Sequence, residues 1–81
     1  MIGISDHARK AMDDDGISEE EVRWCMEHGE KEIKELVNSE MRYGKRLELK
    51  DKTIMVIYVQ RGEITHVVTC YTIRKKKWQN Q

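Results

Sequence analysis

The sequence predicts an α+β fold in which two short N-terminal helices pack on one face of a three- to four-stranded antiparallel sheet. Three observations carry that expectation. Ser18 and Glu21 form an S-x-x-E capping box that opens a helix. The stretch from Thr53 to Val59 is β-branched and aromatic almost throughout (Thr53, Ile54, Val56, Ile57, Tyr58, Val59). The chain of 81 residues is short enough to make one domain over 1–81 with one small core.

The elements follow in order. Ser5 caps a first helix from Asp6 to about Asp14, with Ala8, Ala11 and Met12 as its apolar edge and Gly16 as its stop. The second helix runs from Glu19 to His28. Ile17 and Val22 staple its start, and Glu19, Glu20 and Glu21 sit in the first turn, where the helix dipole favours anions. Val22, Cys25 and Met26 make its buried stripe, and Gly29 ends it. Glu30 to Val37 fits a helix face through Ile33, Leu36 and Val37. Asn38-Ser39, a hairpin turn leading to Met41 and Tyr43, favours an edge strand instead. Leu47 and Leu49 alternate with Arg46, Glu48 and Lys50 in a half-buried strand, and Lys50-Asp51-Lys52 turns into the central strand at Thr53. Arg61-Gly62 turns again into Ile64 to Ile73, and a basic tail that frays is expected at 74–81.

Fifteen basic and fifteen acidic residues cancel, but not locally. Residues 1–30 carry a balance of −6 and residues 31–81 a balance of +6. The acids open and close helices, whereas the bases lie on strands and tail, where they suit a polyanion or keep a sheet edge from aggregating. No apolar run approaches a membrane span and no signal sequence is evident, so a soluble, cytoplasmic protein is expected. Cys25 and Cys70 form no CxxC pair and read as two buried thiols. The three histidines have no ligand spacing, so neither metal nor cofactor is expected.

Candidate chemistry lies on the sheet face that the helices leave uncovered. Arg42 and Arg46, with Lys75, Lys76 and Lys77 in the tail, would neutralise phosphates of single-stranded RNA, and Tyr71 and Trp78 offer stacking surfaces. Simple alternation puts His66 and Thr72 on one face of the last strand and Thr69 and Tyr71 on the other, without saying which is open. His7, in the first turn of the first helix, sits where the dipole disfavours imidazolium and so suits a general base. It equally suits a histidine that only helps its helix start.

Ser5-Asp6-His7-Ala8, Met12, the run from Gly16 to Val22, Arg42-Tyr43-Gly44-Lys45 and the strand Val67 to Tyr71 together resemble the family called domain of unknown function 4258. That resemblance implies kinship with small ribonuclease toxins of the RelE and BrnT type, which place helices before an antiparallel sheet and cleave RNA without metal. It implies a catalytic set of His7, Tyr71 and Arg74. His7, or His66, would act as base, Arg42, Arg46 and Arg74 would stabilise the phosphorane, and Tyr71 would orient or protonate the leaving oxygen. The chain departs from the family pattern at Ala11 and Asp15, where arginine is usual. Two readings follow: a toxin-like endoribonuclease or RNA-binding protein, and a non-catalytic interaction module or homodimer on a degenerate ribonuclease-like fold. The candidate partners are RNA, a small antitoxin-like protein and a second copy of the chain.

Overall fold

In a computed structural model that describes residues 1–73, the chain runs β1 (Ile2–Ile4), α1 (Asp6–Asp15), α2 (Glu19–His28), β2 (Glu30–Val37), β3 (Glu40–Glu48), β4 (Thr53–Arg61) and β5 (Ile64–Ile73). The strands form one sheet in the order β1-β5-β4-β3-β2. β2 to β5 are an antiparallel meander, while β1 pairs parallel to β5. The expected three or four antiparallel strands are therefore five in a mixed sheet. Ile2-Gly3-Ile4 is too short to show a period, and its partner lies over sixty residues away, so no local pattern announces it.

Both helices begin as the sequence requires. The Ser5 hydroxyl accepts from Ala8 N at 3.0 Å, and Ser18 and Glu21 exchange both bonds of a capping box. α1 ends at Gly16, whose left-handed φ of 65° lets its N–H reach Met12 O. The edge-strand reading of Glu30 to Val37 holds, because Asn38 and Ser39 both adopt positive φ (49° and 66°), the geometry of a two-residue hairpin turn.

The core lies between the helices and one face of the sheet. Ala8, Met12, Ile17, Val22 and Cys25 pack on Ile54, Val56, Val67 and Cys70, with Ile2, Ile4, Leu47 and Leu49 at the margin. β4 is the central strand, as its composition implies. None of the described helices is long and apolar enough to cross a membrane. The tail residues Arg74, Lys75, Lys76 and Lys77, and the fraying expected of 74–81, lie outside the described residues.

Candidate functional site

The face of the sheet turned away from the helices is assembled by register. Strand partners that stand opposite share a face. Val59 partners His66, which in turn partners Gly3; Ile57 partners Gly44 and Thr69; Met55 partners Arg46 and Tyr71. Arg42, paired to Glu35, precedes Tyr43 and so stands level with Val59. Tyr71, 40% exposed, stands beside Met55, which is 4% exposed. The floor between these side chains is apolar and filled. A Cβ on Gly44 would lie 2.9 Å from Ile33 Cβ and 3.0 Å from Ile57 Cδ1.

A bulge decides which side chains meet there. Between Ile57 and Tyr58 the register shifts, so that Val68 of β5 has no partner of its own. Alternation is reset, and His66 joins Thr69 and Tyr71 on the open face. Thr72, which partners Ile54, turns toward the helices. The expected pairing of His66 with Thr72 is thus corrected. The carbonyl at the bulge is used, since Ser5 Oγ donates to Val68 O at 3.3 Å.

Of the implied catalytic set, the two described members, His7 and Tyr71, are not brought together. His7 is on α1, whose Ala8 and Met12 bury against the opposite face of the sheet from Tyr71. His66 and Tyr71 do share a face, yet their levels, Val59 and Met55, are four β4 residues apart, about 13 Å at ~3.3 Å per residue. A general acid and base must each reach hydrogen-bonding distance of one reacting group, so this spacing does not place both on a single phosphodiester. Arg74 lies outside the described residues.

Charge on the open face is mixed rather than basic. Arg46 sits between Glu32 at 3.2 Å and Glu48 at 3.7 Å, and Glu40 accepts two bonds from Arg61 at 2.8 and 3.0 Å. The Arg61 bond holds the Glu40 carboxyl below its usual value of 4.5, with weaker help from the charges of Arg42 and His66. Arg42 forms no ion pair among the described residues, and its Nε is buried without an acceptor. Arg42, Arg46 and Arg61 share this face with Glu30, Glu32, Glu35, Glu40 and Glu48. The +6 of residues 31–81 comes down to +2 over 31–73, the rest belonging to Arg74 and Lys75 to Lys77.

Other titratable groups serve the fold. Burial pushes both the Cys25 and Cys70 thiols up to about 11, so neither is a thiolate nucleophile at neutral pH. Lys45 donates to Met26 O at 2.6 Å and lies over the Tyr58 ring, whose hydroxyl is raised by burial. Glu21 is desolvated, yet the Ser18 N–H and Lys52 outweigh that and hold it below 4.5. No group of three or more metal-ligating side chains is gathered among the described residues.

One surface feature escaped the reading of the sequence. Trp24, on the side of α2 away from the Val22–Cys25 stripe, is 55% exposed, and its ring meets that of His28 at 4.6 Å. With Leu49, Glu20 and Glu21 it lines an apolar groove. A tryptophan outside an amphipathic stripe was the signal available for it.

A family model, Domain of unknown function (DUF4258), matches residues 4–72, which takes in both helices and nearly all of the sheet. No match was found among the curated proteins.

Proposed function

The chain belongs to the family described as Domain of unknown function (DUF4258), and we propose that it acts there as a non-catalytic interaction module whose open sheet face pairs with a second copy of the chain. The observation that supports this is the separation of His7 from Tyr71, which lie on opposite sides of the sheet, together with the hold of Glu32 and Glu48 on Arg46. The face itself suits a like partner. Beside the buried Met55 it offers the partly exposed Ile57 and the exposed Tyr71, bordered by arginines and glutamates. A two-fold axis brings such a surface against itself, so that arginine of one copy can face glutamate of the other. A polyanion meets more carboxylates than guanidinium groups there.

Sedimentation equilibrium at micromolar concentration tests the reading. A dimer that persists from low to high salt is expected, because apolar burial survives screening. A monomer at both salt concentrations contradicts it.

A second reading, single-stranded RNA binding by the same face, draws on one observation: Arg42 is unpaired and shares a face with His66 and Tyr71. It requires affinity for RNA to fall with salt, with a log–log slope of roughly −0.7 per phosphate neutralised. A flat salt response removes it.

A further inference from the structure

A bulge in β2 sorts charge between the two faces of the sheet. The register with β3 shifts between Lys31 and Ile33, so Glu32 has no strand partner of its own and turns to Arg46 on the open face, at 3.2 Å. Unbroken alternation would leave Lys31 with Glu35 on one face and Glu32 with Lys34 on the other, both of mixed sign. With the bulge, Lys31, Lys34 and Leu36 stand opposite Lys45, Tyr43 and Met41 on the side that carries the helices. Glu30, Glu32 and Glu35 all go to the open face. On the helix side, β2, β3 and β4 therefore carry three lysines and no carboxylate.

This corner lies past the cover of the helices. Lys45 Nζ, bonded to Met26 O at 2.6 Å, marks where α2 ends, and Leu36, Met41 and Tyr43 lie outside the core. Lys31 sits over the Tyr43 ring at 5.1 Å, and neither Lys31 nor Lys34 forms an ion pair among the described residues. Leu36 is 66% exposed. β2 is an edge, with β3 as its one strand neighbour among the described residues. We propose that β2 is the docking edge for an extended acidic segment of a partner protein, which adds alongside residues 33–37 with carboxylates toward Lys31 and Lys34 and an apolar side chain on Leu36.

In such a strand addition the main chain supplies affinity and alternate side chains supply specificity. The side chains that the segment turns toward the helix side meet lysine, lysine and leucine in turn, so two acids and one apolar residue at alternate positions complement them. Protection of a sheet edge explains lysines on β2 but not Leu36, because an exposed leucine there favours the pairing that lysines discourage. A single-stranded nucleic acid fits less well. Tyr58 is 6% exposed and the Tyr43 ring already carries Lys31, so no bare ring is offered to a base. This inference concerns the opposite face from the proposed pairing of two copies and stands independently of it.

Two synthetic peptides test it: TLTETET, which presents the complementary pattern antiparallel to β2, and its charge-reversed counterpart TLTKTKT. Proton–nitrogen correlation spectra of the full-length protein are recorded as each is added. TLTETET should move the backbone amides of residues 33–37 most and those of His66 and Tyr71 little, and TLTKTKT should move none. Lys34→Glu should weaken binding of TLTETET by about tenfold or more, because two like charges then face each other. Leu36→Ser should weaken it as well. The remaining amide signals report that each variant is folded. No shifts at about 1 mM TLTETET, shifts confined to the open face, or equal shifts with TLTKTKT overturn the proposal. An oligouridylate that moves the same amides at lower concentration than TLTETET also overturns it, in favour of a nucleic acid.

Discussion

The carboxylate of Asp15, the last residue of α1, accepts a 2.8 Å hydrogen bond from the backbone N–H of Thr72 in β5. β1 covers β5 only from Thr65 to Val67, so the strand beyond that point exposes an edge. α1 closes it at both ends: Ser5 takes the bulge carbonyl of Val68, and Asp15 takes the N–H of Thr72. A base at position 15 would forfeit this acceptor. Asp15 therefore serves as an edge cap for β5, a role that needs an acceptor at this position.

Asp15→Ala should lower stability by roughly 1 kcal/mol, the net worth of a typical intramolecular hydrogen bond, since this one is open to solvent. Urea denaturation should show the midpoint falling with an unchanged m-value. An unchanged midpoint would mean that water replaces the carboxylate at Thr72 without cost.

Gly44→Ala should destabilise more. The added methyl would stand 2.9 Å from Ile33 Cβ and 3.0 Å from Ile57 Cδ1, so β2 or β4 must give way. Overpacking of this kind costs about 1–3 kcal/mol. Ile57→Val in the same background, which removes the Cδ1 at 3.0 Å, should recover part of the loss. Failure of that rescue would place the strain elsewhere.

The Glu40–Arg61 pair predicts a defined acid dependence. The Arg61 bond depresses the Glu40 carboxyl below 4.5 in the folded chain, so its stabilising contribution is present above that value and is lost as pH falls through the lower folded value. Glu40→Gln should flatten the fall of the urea midpoint between about pH 5 and pH 3. An acid slope identical to wild type would assign that loss to other carboxylates, Glu19 with its Arg23 and Arg9 bonds first among them.

Incubation with single-stranded RNA in EDTA should yield no 2′,3′-cyclic phosphate ends. His7 and Tyr71 are on opposite sides of the sheet, and His66 and Tyr71 are about 13 Å apart along it. Cleavage lost in either His7→Ala or His66→Ala would show that the set assembles on RNA.

Much of this fold was legible locally. The Ser18–Glu21 box and the Ser5 cap declare their helices, and the composition of Thr53 to Val59 declares a central strand, because caps and β-branching act within a few residues. β1 was not legible, since its stability comes from Thr65 to Val67 at the far end of the chain. The site was read less well than the fold. Arg42, Arg46 and Tyr71 do share the open face, but the alternation that separated His66 from Tyr71 assumed an unbroken ladder. One extra residue at Val68 reverses the assignment, and the contacts made there, from Ser5 to the carbonyls of Val67 and Val68, are tertiary. The basic character assigned to the sheet also depended on neighbours: Glu32 lies beside Arg46 only because β2 pairs with β3.

Pairing through the open face is tested most directly by sedimentation equilibrium of the wild type beside Tyr71→Glu and Leu36→Glu. Tyr71 stands on that face, whereas Leu36, 66% exposed, partners Met41 on the helix side of the edge strand β2. A salt-resistant wild-type dimer that Tyr71→Glu converts to monomer and Leu36→Glu leaves intact is the predicted result. A monomeric wild type, or a dimer broken by Leu36→Glu and untouched by Tyr71→Glu, would contradict it.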